Sequence, residues 1–219
     1  MDPTAQAIYE KLHAHYGDLQ WWPAKTPYEM MVGAVLTQNT AWSNVEKALA
    51  NFGERLTPQF VRDADIGELA GVIRPAGFFN QKATYLKAMT AWFARYNFDV
   101  PTVQRETLQS LRPELLAVKG IGKETADSML LYAFGFPTFV IDAYTMRLCA
   151  RYAVDAGKGY DAHKAYFEKN LPQDVQLYNN YHAAIVYICK DFCRKSKPLC
   201  DKCPLWGMCE RIGLEQWQQ

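Results

Sequence analysis

The chain has 219 residues, 49% hydrophobic and 21% charged, which supports a packed core in one large domain or two small lobes. Lysine and arginine exceed aspartate and glutamate by 24 − 23 = +1, which excludes a globally basic polymer but not a local basic face. The longest nearly unbroken apolar run, residues 129–141, is broken by Gly135, Pro137 and Thr138, short of the roughly 20 residues a membrane span needs. The start, Met-Asp-Pro-Thr, has no basic or apolar leader, so the expectation is a cytoplasmic protein with no membrane partner.

Helix signals follow one another along the chain. Asp2-Pro3 reads as an N-cap followed by a first-turn proline, with Gly17 as the stop and Ile8, Leu12 and Tyr16 on one face. Thr26 and Glu29 form a capping-box pattern, and residues 30–36 are apolar nearly all round, as in a helix buried on every side. Thr57-Pro58 and Asp65-x-x-Glu68 open further short helices. Residues 80–96 carry Ala83, Leu86, Met89, Trp92 and Phe93 at helical spacing, and a long last helix is expected over 174–193. No alternating run of strand length stands out. The reading is all-α, with seams at 20–25 and 135–137.

Leu115 to Ala126 is the most informative stretch. A helix ends near Lys119, Gly120 and Gly122 turn the chain, and a second helix starts near Lys123. Glycines permit positive φ and leave turn amides open beside a helix N-terminus, which suits a phosphate; a bare helical corner is the plainer alternative. Asp142 follows Phe139-Val140-Ile141 at another helix start, where it is either an N-cap or a delivered carboxylate. Six cysteines in a chain of this kind do not suggest a disulfide scaffold. Cys193, Cys200, Cys203 and Cys209 are spaced C-x6-C-x2-C-x5-C, and spacing alone leaves zinc and iron–sulfur both open.

Val118-Lys119-Gly120-Ile121-Gly122-Lys123-Glu124-Thr125-Ala126 resembles the helix-hairpin-helix motif of the endonuclease III superfamily of DNA glycosylases, usually L-P-G-V-G-x-K-T-A. Val140-Ile141-Asp142 is similar to the family's V-D, and residues 35–40, Val-Leu-Thr-Gln-Asn-Thr, to its L-x-x-Q-x-T. The cysteine spacing equals that of the family's cluster loop. Within the superfamily, Trp21-Trp22-Pro23, the segment 36–40 and Arg74 to Ala83 look like the 3-methyladenine DNA glycosylases.

The resemblance implies two helical lobes, residues 24–135 with the hairpin and residues 1–23 plus 136–219 with a 4Fe–4S cluster held by Cys193, Cys200, Cys203 and Cys209. It implies Asp142 as the catalytic carboxylate and a base pocket of Trp21, Trp22, Pro23, Trp42 and Glu124, with one of the two adjacent tryptophans facing the base. It implies DNA contacts from Gln38, Lys119, Gly120, Gly122, Lys123 and Thr125, with Arg194, Lys195, Lys197 and Lys202 adding cations around the cysteines. Glu124 stands where bifunctional members carry the lysine that attacks the sugar, and a carboxylate forms no Schiff base. The expectation is a monomeric, monofunctional base-excision glycosylase in the cytoplasm, associated with the nucleoid, that acts on alkylated purines such as 3-methyladenine in double-stranded DNA. Its rivals are a glycosylase for oxidised or deaminated pyrimidines and a non-catalytic iron–sulfur DNA-binding protein.

Overall fold

The computed structural model describes residues 2–19 and 21–214, whose regular elements are all helical, with no strand among the described residues. The helices are α1 (Thr4–Tyr16), α2 (Pro27–Leu36), α3 (Trp42–Phe52), α4 (Pro58–Asp63), α5 (Ile66–Val72) and α6 (Phe79–Ala94). They continue as α7 (Val100–Val103), α8 (Leu108–Ala117), α9 (Lys123–Ser128), α10 (Ala143–Tyr152), α11 (Tyr160–Asn170) and α12 (Val175–Asp191). A π-helical turn, Met129–Ala133, prolongs α9. The chain divides into two compact units, residues 22–136 and residues 1–21 with 137–219.

Side-chain caps start the helices where short polar residues stand. Thr26, Thr57, Asp65, Asp142 and Asp174 each accept from the backbone N–H three residues on. Thr26 supplies only its own half of the expected capping box, accepting from Glu29 N at 3.1 Å; the reciprocal box is found instead at Thr107 and Ser110. Asp2 caps as expected through Thr4 N at 2.9 Å, although the helix is counted from Thr4 because Pro3 already has helical angles.

The larger unit is built round α2, buried along its whole length but for Pro27 and Glu29. Lys82 of α6 enters this core and is only 2% exposed. Its ammonium donates to Leu36 O (2.7 Å), Thr40 Oγ1 (2.6 Å) and Ala76 O (2.9 Å). Burial pushes it down to about 8, so it remains largely protonated at neutral pH. In the other unit Phe139, Phe167, Tyr178 and Tyr181 form an aromatic core, with Phe139 stacked on Phe167 at 4.3 Å. Tyr181 Oη donates to Ala5 O, which fastens α1 to α12. No helix is long and apolar enough to cross a membrane among the described residues.

Replacing Lys82 by methionine keeps the stem but takes the ammonium donor from Leu36 O and Thr40 Oγ1, while Ala76 O still accepts from Thr40 Oγ1 at 2.7 Å. Urea unfolding is expected to show a loss of about 2 kcal/mol or more, because each stranded buried acceptor costs about 1–3 kcal/mol. An unchanged midpoint would mean that the ammonium contributes nothing to the fold.

Candidate functional site

The hairpin joins α8 to α9 through Val118–Gly122. Gly120 has φ +86°, and a Cβ there would lie 2.1 Å from the Tyr85 ring, so both backbone and packing demand glycine. Gly122 has φ −89° with open space where a Cβ would stand, so only its exposure distinguishes it. Arg112 of α8 grips the fully buried Asp127 of α9 with two bonds, Nε–Oδ1 at 2.8 Å and Nη2–Oδ2 at 3.1 Å. That bidentate pair sets the two helices against each other. Gln38 Nε2 donates to Gly120 O and to Thr125 Oγ1, both at 3.0 Å. Gln38 and Thr125 therefore brace the hairpin from within, while Lys119, Gly122, Lys123 and Glu124 are exposed along it.

The two adjacent tryptophans belong to different units. Trp22 packs edge-on against Trp42 (5.4 Å, 80°) and tilted against Tyr132 (5.6 Å), over Gly33, whose Cβ would stand 3.4 Å from Trp22 Nε1. Trp21 meets Tyr187 edge-on at 6.1 Å. Just after them the chain turns tightly at the exposed Pro23, closed by Ala24 N to Trp22 O at 2.9 Å. Glu124 lies in the first turn of α9, where a carboxylate suits the positive helix end.

Asp142 serves two partners with its two oxygens. Oδ1 caps α10 by accepting from Thr145 N (2.7 Å) and Thr145 Oγ1 (2.9 Å). Oδ2 stands 3.5 Å from Nε2 of His182, a residue of α12 that is 4% exposed. Burial opposes the charge, but His182 and the Thr145 hydrogen bonds outweigh it and hold the carboxyl below its usual range. Capping and ionisation are compatible here.

Past α12 the chain folds back so that Cys193, Cys200, Cys203 and Cys209 line one small cavity with Leu148, Arg151, Phe192, Leu205 and Arg211. All four are free thiols. Among the described residues no three His, Cys, Asp or Glu side chains converge as a single-ion cage. Arg151 organises the loop. Its guanidinium donates to Cys193 Sγ (3.3 Å), Arg194 O and Lys195 O, and its carbonyl accepts from Ile212 N and Cys209 Sγ. A hydrogen bond from Cys189 and the Arg151 guanidinium draw the Cys193 thiol down, whereas burial pushes Cys203 up to about 11. Arg194, Lys195, Lys197 and Lys202 are exposed round the loop.

Residues 32–173 match the family model described as HhH-GPD superfamily base excision DNA repair protein. The chain belongs to that superfamily. A candidate DNA repair glycosylase of Methanocaldococcus jannaschii is 48% identical over 209 residues, 92% of this chain and 94% of the relative. A solved endonuclease III–DNA complex has a TM-score of 0.82 at 22% identity over 96% of each chain, a likeness of fold. The 3-methyladenine DNA glycosylase of H. pylori, solved with 1,N6-ethenoadenine, has a TM-score of 0.72 and 28% identity over 85% of this chain and 95% of that one.

As a DNA repair glycosylase of the HhH-GPD superfamily, the chain carries further features that sequence reading passed over. His182 looked like one more polar residue in a long helix; only the fold brings it to Asp142, forty residues earlier. Tyr132 hides in an apolar run. Phe78 is 65% exposed and held at φ +47°, a conformation rare for a bulky side chain, at the start of α6. An odd aromatic pair, Phe78-Phe79, was its one sequence signal.

The two hairpin glycines should separate on substitution. Gly120→Ala is expected to lower stability by roughly 3 kcal/mol or more through strain and collision with Tyr85. Gly122→Ala should stay within about 0.5 kcal/mol of the parent. Equal melting temperatures for the two variants would contradict the packing at Gly120.

Proposed function

We propose that this glycosylase hydrolyses the N-glycosidic bond of alkylated purines such as 3-methyladenine in double-stranded DNA and leaves the abasic strand intact. The observation that carries the reading is the buried Asp142 carboxyl, held below its usual range by His182 and Thr145; beside it stands a sequence fact, Glu124 at the hairpin position where bifunctional relatives carry a nucleophilic lysine. An N-methylated purine is a cation and already a good leaving group. As its bond to C1′ breaks, the base keeps the electron pair and becomes neutral, and positive charge develops on the sugar. Asp142 stabilises that charge and orients the water whose oxygen replaces the base. No amine is required.

Recognition of such a base calls for aromatic faces, which attract a cation by about 0.5–2 kcal/mol beyond packing. Trp22 and Trp42, half-buried and already set against each other, are suited to it, and Pro23 and Glu124 of the same unit complete the proposed pocket. The solved 3-methyladenine glycosylase among the structural relatives supports the same substrate class. Exposed Lys119 and Lys123, with the open amides at Gly122 and the start of α9, suit DNA phosphates. Gln38 and Thr125 hold that surface in shape rather than supplying most of its contacts. Phe78, exposed on a strained backbone, is fit to press into the stacked bases. The protein acts as a monomer on this reading.

The cysteine loop fits a 4Fe–4S cluster: four free thiols share an apolar cavity with two guanidinium groups, Arg151 and Arg211, to offset the charge of thiolate ligands. Cys193, Cys200, Cys203 and Cys209 would hold the cluster, which would supply a cross-link for the loop, while exposed Arg194, Lys195, Lys197 and Lys202 round it suit the phosphate backbone. Anaerobically purified protein should hold about four irons and four sulfides per chain. Stoichiometric zinc without iron would remove the cluster from the proposal.

A base-release panel of DNA carrying 3-methyladenine, thymine glycol or uracil decides the activity. Release of 3-methyladenine is expected, with the product strand breaking only after alkali or heat, and with no borohydride-trapped complex. Asp142→Asn should abolish most release while lesion DNA is still bound. Trp42→Ala should cost about tenfold in preference for methylated over neutral bases. Efficient trapping, or release of thymine glycol alone, would overturn the assignment.

A further inference from the structure

Asp142 and His182 stand apart from everything the proposed chemistry requires of the other residues. Both are buried in the same unit, Asp142 at the start of α10 and His182 midway along α12. The Asp142 side chain is 11% exposed and the His182 side chain 5%, so little water reaches either group. Capping consumes Oδ1 through both Thr145 donors and fixes one end of the carboxylate. The cap alone leaves the group free to rock about the bond to its carbon. A second contact, on Oδ2, removes that freedom, and His182 Nε2 at 3.5 Å is the group that faces it.

We propose that His182 is a positioning residue: its Nε2 holds Oδ2 of Asp142 and so fixes the plane in which the carboxylate meets the developing sugar cation. The inference rests on the reading of Asp142 as the group that stabilises that cation. At 3.5 Å the contact lies at the outer limit of a hydrogen bond, a common state before substrate binds, and it tightens as the site fills. One titratable group of α12, His182, acts on Asp142 directly, and the Cys189 thiol lies further along the helix. Thr145 contributes neutral donors from α10 itself. Removing the imidazole therefore takes away the cationic or donating partner and leaves burial to act on the carboxyl, so its titration moves to higher pH.

The test uses the full-length protein and two readouts. In carbon-13 NMR, the Asp142 carboxyl, assigned by its absence in Asp142→Asn, should titrate at higher pH in His182→Phe than in the parent. The same rise is expected in His182→Asn, whose shorter side chain no longer reaches Oδ2, a measurement that does not depend on the phenylalanine variant folding. In single-turnover release of whichever lesion the parent excises, His182→Phe should slow the reaction about tenfold, the value of one hydrogen bond to a charged group. Its activity should also fail at a higher pH on the acid side, with lesion binding retained. His182→Gln, which keeps an N–H donor, should recover most of the rate, and His182→Phe should cost nothing further in the Asp142→Asn background. Unchanged titrations, or a phenylalanine variant with the parent's rate and pH profile, would overturn the inference while leaving Asp142 in its role. Normal base release by Asp142→Asn would instead overturn the role of Asp142 and take the inference with it.

Discussion

A lysine ammonium buried without a carboxylate is a costly thing for a protein to keep, and the hairpin-bearing unit is arranged to satisfy it. Lys82 ties the last carbonyl of α2, the hydroxyl of Thr40 and the carbonyl of Ala76 to the second turn of α6. The Leu36 carbonyl is one of those a helix end leaves unpaired, and the negative end of α2 favours the cation. Once Leu36 and Thr40 are held, the three residues between them have little freedom, and Gln38 is the middle one. Gln38 then reaches Gly120 and Thr125. One turn beyond Lys82, Tyr85 presses on Gly120 from the other side. The hairpin is thus aligned by contacts that originate at one buried charge.

The other unit solves a different problem, which is to bury a carboxylate and leave it charged. Desolvation alone would raise its titration by several units in the worst case. Two Thr145 donors oppose this, together with the His182 imidazole 3.5 Å from the other oxygen. The helix-cap role, far from competing with chemistry, is what makes the ionised group tolerable in its place. A cap also sets the carboxylate at the positive end of α10, which adds to the same effect.

How much of this was legible in the sequence differs from one element to the next. The capped helices were, because Thr57, Asp65 and Asp174 act within three residues of themselves. The all-helical class and the family likeness were too, since periodicity and short motifs are local. The purpose of each glycine was not. Gly120 and Gly122 look alike in sequence, and only Tyr85, thirty-five residues earlier, shows that one is obligatory. The half-formed capping box at Thr26 has the same lesson, since Glu29 lies within a helix whose neighbours are set by tertiary packing. His182 and Arg151 were invisible for a related reason: each acts on groups some forty residues away, and no spacing rule reports such a distance.

The cysteine loop extends the argument to a segment with little core of its own. Between Cys193 and Cys209 only Leu205 is buried, and Leu214 follows it, so apolar packing cannot hold the loop in register. Arg151 does so from outside the loop. Its side chain binds the entry at Cys193, Arg194 and Lys195, and its own carbonyl binds the exit at Cys209 and Ile212. Entry and exit are therefore clamped to one residue of α10, the helix whose first turn carries the Asp142 cap. A segment whose ends are already fixed loses less conformational entropy when four thiols gather on a common ligand. Arg147, one turn before Arg151, donates to the carbonyls of Cys189 and Cys193 and joins the end of α12 to the same helix. The geometry of α10 thus governs both the carboxylate at its start and the cysteines at its end, so a change that tilts this helix must disturb the two together.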